Sequence, residues 1–168
     1  MGRMKQDTEM ADQVERYGRY TVRLEGPGAG NPFTEVELWA EFTYGHRSVR
    51  VRGFYDGEGQ YCVRFMPDQV GQWHYRTESS CAELDGLSGA FVVTEVRDAG
   101  NHGPVGVVGG GFAYADGTPY VPIGTTCYAW VHQSRESRER TLQSLADSPF
   151  TKLRMTVFPK SFRYNEHD

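Results

Sequence analysis

The chain has 168 residues, of which 38% are hydrophobic and 24% charged, a composition that allows a packed core and argues against global disorder. Its formal net charge of −4 excludes the basic surface that binding to nucleic acid or anionic lipid requires. No apolar run approaches about 18 residues, so the sequence contains no candidate membrane span.

The first residues, MGRMKQDTEMADQ, are polar and lack the apolar segment of a signal peptide. We therefore expect a flexible N-terminus over residues 1–12 and a cytoplasmic location. The three cysteines, Cys62, Cys81 and Cys127, lie far apart and form neither a Cys-x-x-Cys pair nor a Cys/His cluster. We therefore expect reduced thiols, no metal and no cofactor.

Short alternating runs separated by turn residues occupy residues 13–97. The run from 14 to 24 predicts one strand. In EVELWAEFTYG, at 35–45, polar and apolar side chains alternate, which predicts a half-buried strand whose polar face carries Trp39. About six such strands, at roughly ten-residue spacing, predict an antiparallel β-sandwich.

The composition changes at RDAGNHGPV, where Gly, Asn and Pro concentrate, and this indicates a linker over residues 98–111. Beyond it, Asp116-Gly117 separates the apolar segments 112–114 and 120–121. An Asp-Gly pair in that setting predicts a β-hairpin.

The last third of the chain reads as strand, helix and strand. VPIGTTCYAW predicts a short strand and TKLRMTVF predicts another. Between them, SRESRERTLQSLADSP predicts a helix that Ser134 caps and Pro149 ends. Together they predict one right-handed βαβ unit.

Several of these segments resemble a known arrangement. The run GNPFTEVELWAEFTYGHRSVRVRGFYDGEGQYCVRFMPDQVGQWHYRT resembles the N-terminal immunoglobulin-like β-sandwich of unknown function that precedes glycoside-hydrolase-like (β/α)8 barrels. NHGPV, FAYADGTPYVPIGTTCYAW and SPFTKLRMTVFPK resemble the linker and barrel start of the same proteins, which are similar to the apiosidase-like and collagen-binding glycosidase group. The resemblance covers nearly everything from residue 14 to residue 160.

This resemblance implies a mainly β fold: an antiparallel immunoglobulin-like sandwich over residues 13–97, a hairpin, and a truncated βαβ start of the barrel over 112–168. It implies that the complete protein acts on carbohydrate. The family expectation places an acid/base carboxylate after barrel strand four and a nucleophile after strand seven. A barrel needs eight strands and about 250 residues, so neither position exists in this chain and we assign no catalytic residue.

The resemblance also implies a substrate cleft at the carboxyl ends of the barrel strands. The substrate-binding residues expected there are Thr125, Thr126, Tyr128 and Trp130 after the first strand and Phe158 after the second. Hydroxyls suit hydrogen bonds to a sugar, and an aromatic plane suits its C–H face. The alternative for Tyr128 and Trp130 is packing beneath the following helix.

Two further functions stay open from the sequence. The first is that the sandwich alone serves as a carbohydrate-binding or protein-interaction module, with Trp39, Trp73 and Tyr75 as an aromatic platform, although a strand position in a sandwich favours the core for Trp73. The other possibility is a structural sandwich without a ligand. The strand predicted at 152–158 has an unpaired edge, so we expect either self-association through it or a poorly ordered C-terminal segment.

Overall fold

The computed structural model describes residues 12–157, and the chain divides into two compact units, Met1–Pro104 and Val105–Asp168. The strands of the first unit are β1 (Gln13–Glu15), β2 (Tyr20–Glu25), β3 (Leu38–Tyr44), β4 (Arg47–Arg52), β5 (Phe54–Gly57), β6 (Gln60–Phe65), β7 (Gly71–Ser79) and β8 (Ser88–Thr94), with a short helix α1 (Pro32–Glu35). Those of the second are β9 (Val105–Val108), β10 (Gly111–Tyr114), β11 (Gly124–Thr126) and β12 (Lys152–Arg154), with a 3-10 helix (Trp130–His132) and α2 (Arg135–Ala146).

The first unit is built from two sheets. Five strands pair in the order β1-β8-β7-β3-β4, and three pair in the order β2-β6-β5. All pairs are antiparallel except β1 with β8, whose strands run parallel. The predicted mainly β, sandwich-type fold is confirmed, with eight strands in place of the six counted from the sequence.

Aromatic rings join the two sheets. Tyr20 of β2 stacks on Phe91 of β8 with ring centroids 3.7 Å apart, and Phe42 of β3 stacks on Phe65 of β6 at 4.2 Å. Trp73 is fully buried beside them, and its indole N–H donates to the Gln69 carbonyl at 2.8 Å. The prediction that Trp73 belongs to the core is therefore confirmed, and its ring supplies a large share of the buried apolar surface.

The prediction of one strand over 14–24 is wrong. The residues before Tyr17 and after Gly18 form two strands of different sheets: β1 belongs to the five-stranded sheet and β2 to the three-stranded sheet. Tyr17 takes a left-handed backbone (φ 65°) and its N–H donates to the Pro67 carbonyl at 2.7 Å. A Cβ at Gly18 would lie 2.8 Å from the Glu15 carbonyl oxygen, so the chain turns here only because glycine occupies the position.

The second unit differs from its sequence prediction in the hairpin. Val105–Val108 lie inside the expected linker yet form β9, which pairs with β10 around Gly109-Gly110. The turn at Asp116-Gly117 does form, since the Gly117 N–H donates to the Tyr114 carbonyl at 2.9 Å. The return at 120–121 makes no strand, and its pairing is limited to a bridge between Ala113 and Pro119.

The predicted helix is confirmed as α2. The Ser134 hydroxyl caps it by accepting from the Ser137 N–H at 3.2 Å, and Glu136 lies in the first turn. No helix within residues 12–157 is long and apolar enough to cross a membrane.

Replacing Tyr20 by Phe should reduce the loss of thermal stability that the sandwich shows at high pH. Burial first, then the nearby Tyr75 and Asp12, raises the pKa of Tyr20 from 10.0 to about 12. The folded state therefore keeps a proton that the unfolded chain releases, so the stability is present below pH 10 and is lost as the pH rises towards 12. Thermal melts at pH 7 and pH 11 should show a smaller fall in Tm for Tyr20→Phe than for the parent. Equal falls would contradict this assignment.

Candidate functional site

The edge that the sequence predicted to meet substrate is built on a parallel strand pair. β11 and β12 pair with Thr125 opposite Leu153 and Thr126 opposite Arg154, and α2 connects them. Contact continues past the strands, because the Cys127 N–H donates to the Arg154 carbonyl at 2.9 Å and the Thr156 N–H donates to the Tyr128 carbonyl at 3.0 Å. The carboxyl ends of both strands therefore lie side by side, as in a βαβ unit.

Four of the five predicted site residues lie near this edge, but not all face the same way. Thr126 is exposed, and Tyr128 is half exposed beneath the Arg154 guanidinium, 5.5 Å from its ring centroid. Thr125 is half-buried. Trp130 follows the packing alternative, since its indole N–H donates to the Arg138 carbonyl of α2 at 3.2 Å. Phe158 lies outside the described residues. Substrate contact at any of them stays a prediction.

The described part of the second unit, residues 105–157, contains no buried residue. Its large apolar side chains are open to solvent, led by Val107 at 76% and Val157 at 70% exposure. The apolar side chains of α2 are also largely uncovered, since Leu142 and Ala146 are exposed and Leu145 is half-buried. This unit therefore differs from the first, whose core is closed by two sheets.

Apart from this edge, a cleft with a volume of about 380 Å³ lies on the outer face of the five-stranded sheet, the face turned away from the core. Register places Trp39 between Arg52 and Glu78, and Glu41 between Arg50 and Arg76, on neighbouring strands β4, β3 and β7. The residues that line the cleft are Trp39, Glu41, Arg50, Arg76, Thr77, Glu78, Asp85 and Gly86. Alternating charges across strands stabilise such a face.

Contacts around Trp39 hold the floor of this cleft in place. The Arg50 guanidinium lies over the indole, 4.7 Å from its centroid, and also pairs with Glu78 at 2.8 Å. The Glu41 carboxylate accepts a hydrogen bond from the Ser48 hydroxyl. Since Arg50, Glu78 and Glu41 are each held by a neighbour, this part of the outer face is ordered without being buried.

One wall of the cleft is a loop pinned by Thr77, a buried polar side chain. The Thr77 hydroxyl donates to the Leu84 carbonyl at 2.6 Å and accepts from the Leu87 N–H at 2.9 Å. The Asp85 carboxylate accepts from the Ser79 N–H at 3.0 Å. The loop between β7 and β8 is therefore fixed to β7 on both sides of Asp85.

The aromatic platform proposed from the sequence does not form. Trp73 is fully buried in the core and Tyr75 packs against it, whereas Trp39 lies on the opposite face of the sheet. The sequence did place Trp39 on the polar face. It gave no signal for Arg76, Asp85 and Gly86, because they reach Trp39 through strand register and a loop rather than through spacing along the chain.

The cysteines are free thiols in the structure: Cys62 is buried, and Cys81 and Cys127 are half-buried. Burial, followed by the charge of Asp56 and a hydrogen bond to it, raises the pKa of the Cys62 thiol. Such a thiol is unreactive. Within residues 12–157 no group of His, Cys, Asp and Glu is arranged to hold a metal ion.

Residues 13–80 match a family described as "Domain of unknown function (DUF5060)". The chain also superposes on the crystal structure of a "putative glycoside hydrolase" from Bacteroides vulgatus ATCC 8482, with a TM-score of 0.82 and 44% identity over 90% of this chain. The chain thus has a glycoside-hydrolase-like relative. It spans 29% of the length of that relative. No curated protein matches the chain.

Thr77→Val should loosen the wall of the outer-face cleft. The change keeps the shape but removes the hydroxyl that bonds Leu84 and Leu87, so we expect a loss of about 1–3 kcal/mol in unfolding free energy. Urea denaturation measures it. The matched control is Thr43→Val on the same sheet, which should change the free energy by less than about 0.5 kcal/mol. Equal effects of the two substitutions would contradict the role of Thr77.

Proposed function

We propose that this chain is the N-terminal portion of a glycoside-hydrolase-like protein that acts on carbohydrate, and that the chain itself is not catalytic. The sequence identity of 44% to the "putative glycoside hydrolase", over 90% of this chain but 29% of the length of that relative, carries the proposal. The first unit is an immunoglobulin-like sandwich, and the second is the start of a (β/α)8 barrel with its first strand, first helix and second strand.

The described structure of the second unit supports a barrel start in two respects. Its strands β11 and β12 are parallel and joined through α2, which is the repeating unit of such a barrel. Its apolar side chains are uncovered, as expected of strands and helices that pack against further barrel elements. A sugar-acting barrel places its site at the carboxyl ends of its strands.

At that edge, Thr126 and Tyr128 are the residues best placed to meet a sugar. Both are exposed beside the second strand, and the Arg154 guanidinium adds donors to the same surface. Trp130 instead supports α2 through its hydrogen bond to Arg138. Thr125 and Phe158 belong to the same proposed edge. The carboxylates that would cleave the glycosidic bond lie on later strands, outside this chain.

The test examines the reading frame beyond codon 168 and measures the hydrolysis of oligosaccharides. The reading frame should continue past Asp168 for some hundreds of codons, and the product of the extended frame should hydrolyse oligosaccharides. The purified 168-residue chain should show no turnover of the same substrates, because retaining hydrolysis needs two carboxyls about 5 Å apart and the described residues at this edge, 124–132 and 151–157, include no Asp or Glu. A reading frame that closes after Asp168, or turnover by the short chain that one carboxylate substitution abolishes, would overturn the proposal.

We also propose that the 168-residue chain self-associates through the open edge of β12. β12 pairs with β11 on one side, and Met155 and Val157 that follow it are exposed at 38% and 70%. Sedimentation should show a mass that rises above 19.0 kDa with concentration. Met155→Lys combined with Val157→Lys should shift it towards the monomer, whereas the exposed Val107→Lys should not. A constant monomer mass at all concentrations would contradict self-association.

A further inference from the structure

We propose that the outer-face cleft of the first unit, lined by Trp39, Glu41, Arg76, Glu78 and Asp85, binds an uncharged saccharide. The cleft lies wholly within the sandwich, so the proposal does not depend on the function proposed for the second unit. The observation that carries it is one half-buried indole surrounded by both guanidinium donors and carboxylate acceptors in a volume of about 380 Å³. That volume lies within the range of small-molecule sites.

The donors and acceptors of the cleft match hydroxyl groups. Each carboxylate is oriented by one protein contact and keeps further lone pairs for a ligand: Glu41 with Ser48, Glu78 with Arg50, and Asp85 with the Ser79 N–H. A carboxylate only accepts and a guanidinium only donates. A sugar hydroxyl does both, so neighbouring hydroxyls on one ring can satisfy the two kinds of group together.

Arg76 is the open donor of the site. Among residues 12–157 no carboxylate forms an ion pair with it within 4.0 Å. The residue facing it is Gly86, where an added Cβ would lie 3.5 Å from the guanidinium. Gly86 has a left-handed backbone (φ 70°) that favours glycine and lies beside the guanidinium, while Arg76 itself is exposed to solvent and so remains accessible to a ligand.

Trp39 supplies the apolar part of the site. The Arg50 and Arg52 guanidiniums lie over the indole, 4.7 and 5.8 Å from its centroid, and the part of the ring that lines the cleft is the apolar surface offered to a ligand. A pyranose ring presents C–H groups on one face and hydroxyls at its edge, so it fits an aromatic surface bordered by polar groups. The wall pinned by Thr77 keeps Asp85 in place before a ligand arrives, which reduces the entropy lost on binding.

The charge balance favours a neutral ligand. Two guanidiniums and three carboxylates line the cleft, and Arg50 and Glu78 neutralise each other. Arg76 and Arg52, whose guanidinium lies 5.8 Å from the Trp39 ring centroid, balance Glu41 and Asp85, so a carboxylate-bearing sugar would bring an uncompensated charge into the cleft. A neutral sugar meets no such penalty and still finds partners for its hydroxyls.

The 168-residue chain is titrated separately with xylohexaose, cellohexaose and mannohexaose, and binding is measured by calorimetry and by tryptophan fluorescence. At least one of the three should bind and change the emission. Arg76→Gln and Asp85→Asn should each weaken that binding at least tenfold. The matched control is Arg64→Gln, which removes a guanidinium stacked on Phe54 at 4.7 Å on the other sheet, and it should leave the affinity within twofold.

Three results would overturn the saccharide site. The first is an absence of binding to all three neutral oligosaccharides. The second is binding that Arg76→Gln and Asp85→Asn leave unchanged while circular dichroism shows both variants folded. The third is binding to polygalacturonate in place of the neutral sugars, which would mean that the cleft selects anions. Closure of the reading frame after Asp168 would remove the hydrolase proposal and leave this one standing.

Discussion

Side chains of β3 point alternately to the two faces of its sheet, and the rest of the first unit depends on this alternation. Leu38, Ala40 and Phe42 are buried between the sheets, so Trp39 and Glu41 must lie on the outer face. A register slip of one residue would exchange the two sets and bury the charges. The aromatic core and the outer-face cleft are therefore two consequences of one pairing.

The same pairing brings together residues that are distant in sequence. Phe42 stacks on Phe65 of the other sheet, and Glu41 faces Arg50 and Arg76 from the strands on either side. The stacked rings bury apolar area, which provides most of the stabilisation, while the outer charges contribute little each because water screens them. Because the core supplies most of the stability, residues of the outer face can be substituted without loss of the fold.

The second unit is built on a parallel strand pair rather than on two packed sheets. Its parallel pair β11 and β12 needs a helical connection, and α2 provides it with a Ser134 cap. Its apolar residues, however, are not covered by one another within residues 105–157. Trp130 anchors the 3-10 helix to α2, so the exposed residues at the edge are Thr126 and Tyr128 rather than the complete aromatic set that the sequence suggested.

The mainly β class, the inward face of β3, the burial of Trp73, and α2 with its cap can all be predicted from the sequence, because period-two alternation and capping are local patterns. The tertiary structure was needed to show that the run around Tyr17 and Gly18 divides between two sheets, since the hydrogen bond from Tyr17 to Pro67 joins residues distant in sequence. It alone placed Arg76 and Asp85 beside Trp39. Strand order and register bring such residues together, and neither is encoded in the spacing of any one segment.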